Sequence, residues 1–409
     1  MATFEHHMEN VRSAAKPRPR LLVVGDAAVP TGFARVIRSI FEPLIEVYEI
    51  HQIGINYDGD PHAYPWPIYP AQTGGDPMGR ARAAKLVEGL KPDAVFVLND
   101  IWLIGDYARL IRGIDSSVKI IGYCPIETEP VDPAWVEEFG GIDQIVTFTA
   151  WAKRELERCM PTVLINPIEA IPHGVDLHAF HPLDADRDAA RAKARSLLFG
   201  DDPDLNDAFI VLNANRNQPR KRIDTTIRGF AQFAKDKPAD VRLYLHMALS
   251  DVGWSIGKLA QRYGIGDRLI VTTDTGLFPA VTDEQLNQIY NACDVGLNTA
   301  VSEGWGLVSF EHAATRVAQI VPGHSSLLEL WEGAAEFLRP AFSLVAPRTL
   351  LEEHFVTPEE VAEKLELLYS NQDRRKSLAD LAYHRVTRDE FSWDSVVQRW
   401  DATIKRLLA

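Results

Sequence analysis

The segment Ser302-Glu303-Gly304-Trp305-Gly306-Leu307-Val308-Ser309-Phe310-Glu311 sets two carboxylates eight positions apart around a glycine-rich turn. Glycine at 304 and 306 permits positive φ and lets a ligand approach the backbone closely. The run from Val308 onward is helix-compatible, which puts Glu311 in the first turn of a helix whose free amides face the turn. Such amides attract phosphate, whereas a carboxylate beside them takes hydroxyls instead. Phosphate-facing amides combined with two hydroxyl-accepting carboxylates suit a nucleotide sugar. Taken alone, the same spacing reads equally well as a loop-ending Glu303 and a Glu311 that complements the helix dipole.

A second chemistry-bearing stretch is Ala214-Asn215-Arg216-Asn217-Gln218-Pro219-Arg220-Lys221-Arg222, between the apolar run 209–213 and a helix expected from about Asp224. Cations at the carboxyl end of a strand, just ahead of a helix N-terminus, can neutralise a diphosphate, and arginine adds a bidentate geometry that lysine lacks. A solvated basic loop would have the same composition. Gly25-Asp26-Ala27-Ala28-Val29-Pro30-Thr31-Gly32 occupies the equivalent place in the first half. It is not a G-x-G-x-x-G fingerprint, so dinucleotide binding is poorly supported; Thr31-Gly32 can instead bring amides to a phosphate or an acceptor hydroxyl. In Tyr123-Cys124-Pro125-Ile126-Glu127-Thr128-Glu129-Pro130, Glu127 and Glu129 either orient sugar or acceptor hydroxyls or solvate a proline-bounded loop. Asp58-Gly59-Asp60 reads as a turn, and His173, His178 and His181 lack a fourth ligand or helical pairing. No metal site is expected.

The elements that must position these groups alternate in type. Apolar runs at 20–25, 48–55, 93–98, 118–123 and 144–148 are separated by amphipathic segments, and the pattern restarts after Ile171-Pro172-His173-Gly174-Val175-Asp176. Further strands are expected at 208–214, 241–247, 268–273, 293–298 and 317–321, with helices between them and near 358–370 and 373–388. Continuously apolar strands alternating with helices imply parallel sheets covered on both faces. The expected architecture is α/β: a disordered tail at 1–20, Rossmann-like domains at 21–172 and 173–390, and a final helix at 391–409 that crosses back to the first domain. Two doubly wound domains bind ligands at strand carboxyl ends, so the cleft between them is the expected site.

Composition narrows the classes. At 409 residues, the chain is long enough for two independently folding cores. A net charge of −14 argues against a broad nucleic-acid surface. Cys124, Cys159 and Cys293 lie far apart with no metal-ligand spacing, which fits reduced thiols and a cytoplasmic location. No apolar run reaches the roughly 18–20 residues that span a bilayer, so a membrane acceptor would be met peripherally. Arg35 and Arg38 would help there or mark a solvated face.

Together these motifs resemble the retaining glycosyltransferases of the GT-B fold, specifically glycosyltransferase family 4. The resemblance is carried by the Thr31-Gly32 loop, the Pro172-His173-Gly174-Val175-Asp176 segment, Arg216 with Lys221 five residues on, and the Glu303/Glu311 pair. It implies that Arg216 and Lys221 bind the donor diphosphate, that Glu303 touches the sugar, and that Glu311 takes the ribose hydroxyls. Thr31, Gly32, Asn215, Gly304, Trp305, Gly306 and Leu307 would complete the donor site. Many members carry a histidine where this chain has Tyr123-Cys124-Pro125-Ile126-Glu127, which makes Glu127 the substitute candidate for acceptor chemistry. The implied reaction moves a hexosyl unit from a UDP- or GDP-linked sugar to an acceptor hydroxyl, with no cofactor or metal. A glycan, a lipid, a small molecule, a protein or a hydroxylated nucleobase would each serve as acceptor. A nucleotide-sugar epimerase or hydrolase of the same fold, or a non-catalytic sugar-nucleotide-binding protein, would retain the donor residues too.

Overall fold

The computed structural model describes residues 17–72, 74–160, 166–200, 202–273, 279–347 and 349–409. The tail expected at 1–20 lies largely outside them; Arg20 already opens a strand and donates to Glu49.

Both series of apolar runs form parallel sheets. The first contains β1 (Arg20–Asp26), β2 (Glu49–Ile55), β3 (Ile68–Pro70), β4 (Ala94–Leu98), β5 (Lys119–Cys124), β6 (Gln144–Thr147) and β7 (Glu169–Ala170), in the spatial order β3-β2-β1-β4-β5-β6-β7. Leu21 of β1 lies between Ile50 of β2 and Ala94 of β4. Helices α1 (Gly32–Phe41), α2 (Arg80–Leu90), α3 (Ile101–Ile114) and α4 (Ala150–Cys159) connect these strands. Every residue of β4 is buried, as expected for a strand covered on both faces. Thr31 and Thr149 start α1 and α4 by accepting hydrogen bonds from the amides of Ala34 and Ala152, which satisfies donors that the first turn leaves free.

After α5 (Arg187–Phe199) and α6 (Pro203–Asn206), the second sheet holds β8 (Phe209–Asn213), β9 (Val241–Leu245), β10 (Leu269–Val271), β11 (Val295–Leu297), β12 (Ala318–Pro322) and β13 (Glu336–Leu338). Their spatial order is β10-β9-β8-β11-β12-β13. Its connecting helices are α7 (Ile223–Ala234), α8 (Ile256–Arg262), α9 (Asp283–Ala292), α10 (Leu307–Ala313) and α11 (Ser326–Trp331). The exposed hairpin of β14 (Phe342–Val345) and β15 (Glu352–Phe355) precedes α12 (Pro358–Ser370) and α13 (Gln372–Val386). The chain ends in α14 (Trp393–Leu408).

This last helix is amphipathic, and it buries Val396, Val397, Trp400, Thr403 and Ile404. Trp400 packs 5.1 Å from Phe96 and 4.8 Å from Tyr123, both in the first sheet. Asp401 accepts from the Tyr48 hydroxyl at 2.8 Å, and Thr403 donates to Glu169 at 2.9 Å. The chain therefore passes between the domains twice, and the passages touch. The Val175 amide donates to the Phe391 carbonyl at 2.8 Å, and a Cβ on Gly174 would lie 2.5 Å from the Trp393 ring. From Trp400 a file of rings continues through Tyr123, Phe148, His173 and Trp305 to Phe310, so one core cluster spans both domains.

Candidate functional site

In each sheet the strand order reverses once, between β1 and β4 and between β8 and β11. Loops diverging from such a point leave a crevice at the strand carboxyl ends. The loops concerned are 26–31 and 99–100 in the first domain, and 214–222 and 298–306 in the second. Between the domains lies a cleft of about 810 Å³, whose walls include Thr31, Gly32 and Arg35 on one side and Tyr290, Leu307 and Glu311 on the other.

At the second reversal point the loop after β8 tightens into a short turn, Pro219–Lys221, which ends at Arg222 with φ of 50°. This turn sinks Lys221 into the protein, where its ammonium donates to the Glu303 carboxylate. Both partners are buried. Burial alone would push the Glu303 carboxyl up, but the Lys221 and Arg220 charges outweigh it and hold the group below the usual carboxylate range. Arg220, one residue earlier, reaches the Ser302 carbonyl at 2.9 Å, the Glu127 carboxylate at 3.3 Å and Glu303 at 3.8 Å. The Glu303 amide also donates to the Glu127 carbonyl at 3.1 Å. The loop after β5 is thus stitched to the loop after β11, and Glu127 meets Glu303 through a shared guanidinium. Asp100, the residue before α3, faces the same group of charges. Burial, and then the neighbouring Glu127, raise its carboxyl to about 6.

Arg216 stands apart from this cluster. Its guanidinium makes a two-point contact with Asp251, at 2.7 and 3.2 Å, and stays half exposed. Across the cleft, Asp26 accepts from the Thr31 hydroxyl at 2.6 Å and from the Asn56 amide at 3.0 Å, and burial raises its carboxyl. Glu311 is buried. It accepts from the Tyr290 hydroxyl at 3.0 Å and lies 3.6 Å from Arg35 of α1. Burial lifts its carboxyl above the ordinary value in spite of that arginine. Arg35 also reaches Asp283 at the start of α9, 2.8 Å away.

Several expectations need correction. Arg35 is not on a membrane-facing or solvated surface, because its carboxylate partners lie on the opposite domain. Glu311 is the fifth residue of α10 rather than part of its first turn, since the helix begins at Leu307. Of the two glycines in the turn, only Gly306 has positive φ, at 85°. Gly304 is needed for closeness instead: a Cβ there would come within 3.2 Å of the Ile126 carbonyl of the first domain. Trp305 turns into the core against His173, Phe310 and Phe391, so its ring does not face a donor. The Asn215 side chain is also turned inward, donating at 3.0 Å to Asn213. Gly32 and Leu307 do line the cleft and face each other across it. Asp58-Gly59-Asp60 lies in a loop that bends at Gly59, with φ of 101°. Among the described residues, no group of His, Cys, Asp or Glu converges as a metal site would require.

Sequence reasoning missed Asp26, Asp100, Arg220 and Arg35 as members of the constellation. Asp26 ends β1 and Asp100 lies two residues past β4, on either side of the first reversal point, which was the available signal. The reach of Arg35 across the cleft has no local signature.

Residues 258–402 match the family model described as Glycosyl transferase-like. In overall architecture the chain is similar to Anabaena HepE solved with UDP and glucose, with a TM-score of 0.69 at 14% identity over 95% of this chain and all of the other. It is likewise similar to a sucrose-phosphate synthase from Thermosynechococcus elongatus, with a TM-score of 0.71 at 17% identity over 95% and 99% of the two chains. The chain has the GT-B fold. Among curated proteins, this GT-B chain is 29% identical over 271 residues to a D-inositol 3-phosphate glycosyltransferase of Streptomyces bingchenggensis, covering 61% of this chain and 57% of the relative. It spans about half the length of the curated relatives it matches. No helix among its described residues is long and apolar enough to cross a membrane.

Proposed function

We propose that this protein transfers a hexosyl unit from a nucleoside diphosphate sugar to an acceptor hydroxyl, with retention at the anomeric carbon. The observation that carries this reading is the buried Lys221–Glu303 pair at one reversal point, with Arg216 on the same loop held by Asp251, in the domain that also turns Glu311 into the cleft. In this structure each cation holds an internal carboxylate: Arg216 holds Asp251, Lys221 holds Glu303 and Arg35 holds Glu311. Donor binding is then an exchange of partners. The diphosphate takes Arg216 from Asp251 and shares Lys221 with Glu303, while ribose hydroxyls donate to Glu311.

In the reaction the bond between the anomeric carbon and the phosphate oxygen breaks as the acceptor oxygen attacks from the same face. The acceptor proton passes to the departing phosphate oxygen. Negative charge grows on the diphosphate, and Arg216 and Lys221 stabilise that state more than the ground state. Glu303 orients the sugar, and Glu127, held by Arg220, lies on the acceptor side. In this reading no protein nucleophile or metal ion takes part, and the free cysteines support a cytoplasmic reaction.

HepE was solved with UDP, which makes UDP the first ligand to test and GDP the second. Calorimetric titration should give saturable binding of one of them that survives excess EDTA. Absence of binding by both would refute the reading, and strict dependence on Mg²⁺ or Mn²⁺ would refute its metal-free form. Fast consumption of the whole donor without an acceptor would replace transfer by hydrolysis or epimerisation.

A further inference from the structure

We infer that the acceptor presents an uncharged or cationic group to the cleft, and that the first domain selects against phosphorylated acceptors. This rests on the transferase reading above. Ligands of open parallel sheets sit beyond the strand carboxyl ends. In the first sheet the described segments there are 26–31, 56–67, 71–72, 74–79, 99–100, 125–132 and 148–149, and none of them contains a lysine or an arginine. The same segments carry Asp26, Asp58, Asp60, Asp76, Asp100, Glu127, Glu129 and Asp132. The corresponding edge of the second sheet is opposite in sign, with Arg216, Arg220, Lys221 and Arg222 in one loop.

The cations that do reach the first wall are committed. Arg220 is held by Glu127, Glu303 and the Ser302 carbonyl. Arg35 is held by Asp283 and Glu311, and Arg38 by Glu42 at 2.9 Å. Asp26 accepts hydrogen bonds from neutral donors, the Thr31 hydroxyl and the Asn56 amide, and feels a cation only as the charge of Arg216 from the second domain. A phosphate on this wall would give up its hydration to face carboxylates, and among the described residues each cation that reaches the wall would have to leave a carboxylate there to meet it, whereas like charges opposed across an interface are strongly rejected. Hydroxyl and ammonium groups are the donors that carboxylates accept. The polarity of the cleft thus sorts its two substrates, with the diphosphate of the donor going to the second domain and an acceptor free of phosphate to the first.

The test uses the full chain at pH 7.5 with UDP or GDP bound, whichever binds. Glucose 6-phosphate, fructose 6-phosphate and D-inositol 3-phosphate are then titrated into that complex by calorimetry. None should saturate below about 1 mM, and saturable binding of any of them would overturn the inference. The same titrations on an Asp100→Asn/Glu127→Gln variant remove two charges at nearly constant shape. At least one phosphorylated compound should then bind about tenfold more tightly than to the native chain, becoming measurable where the native chain shows nothing. No gain with any of the three would overturn the charge argument even if the native chain rejects them all. Loss of nucleotide binding by the native chain would instead strike the transferase reading itself, so the two failures are distinguishable.

Discussion

Lys221→Met removes one charge from the buried pair while keeping most of the side-chain volume. Glu303 is left 6% exposed, with Arg220 at 3.8 Å as its remaining cation. Breaking a buried ion pair from one side typically costs 3–5 kcal/mol, and the residual Arg220 contact places this case near the lower end, at about 3 kcal/mol. For a domain of ordinary size that corresponds to a fall of roughly 6–12 °C in the transition of the second domain. The pH dependence carries the diagnosis. In the native chain the Glu303 carboxyl is held below its ordinary value, so its contribution is present above the unfolded pKa and is lost as pH falls through the folded one. Without Lys221, burial instead raises the group, and the penalty for charging it disappears as pH falls through that raised value. The gap between variant and native chain should therefore narrow from pH 8 to pH 5. Adding Glu303→Gln should recover about 2 kcal/mol at pH 8, because no uncompensated charge remains. Scanning calorimetry at the two pH values reads all three quantities. A gap that does not narrow, together with a double variant no more stable than the single one, would refute the reasoning.

Arg216→Ala should cost on the order of 10–100-fold in kcat/KM through a lost charge-assisted contact, yet change stability by only about 0–1 kcal/mol because its Asp251 pair is half exposed; normal kinetics would remove it from the donor site. Glu311→Gln should weaken calorimetric binding of the free nucleoside diphosphate, whereas Glu303→Gln should spare that affinity and lower turnover, and the opposite pattern would reverse the two assignments. Burial holds His173, His246, His312 and His324 near 3 to 4. Being depressed, these groups contribute stability above the ordinary histidine value and lose it as pH falls toward the folded values. The melting temperature should accordingly drop from pH 7 to pH 5, and a flat profile would contradict their burial.

The sequence made the two sheets legible because strands such as β4, β8 and β12 are apolar at nearly every position and separated by helix-length segments. It hid β3, β7 and β13, which are only two or three residues long, and the β14–β15 hairpin, whose strand β14 is wholly exposed and so lacks a buried face to mark it. Glu303 and Lys221 were legible from residue type and strand-end position. Arg220 was not, since nothing local distinguishes it from Lys221 beside it; only the approach of Glu127 from a loop far away in sequence gives it a function. Trp305 misled for the converse reason. Its place in the glycine turn suggested contact with a ligand, while the aromatic file between the domains claims its ring.

The side-by-side passage of segments 171–176 and 389–393 between the domains acts mechanically as a two-ply strap. Joined through Val175 and Phe391, the plies can bend together but cannot slide past one another without breaking that bond. Opening of the cleft then becomes rotation about the line of the strap rather than translation. Contacts such as Arg35 to Asp283 and the Glu303 amide to the Glu127 carbonyl part in an order set by their distance from that line. Stiffening either ply stiffens both. Gly174→Ala, which drives a methyl into the Trp393 ring, should therefore shift kcat and KM together although it lies outside the charged cluster, and unchanged steady-state constants would show that the strap does not govern closure.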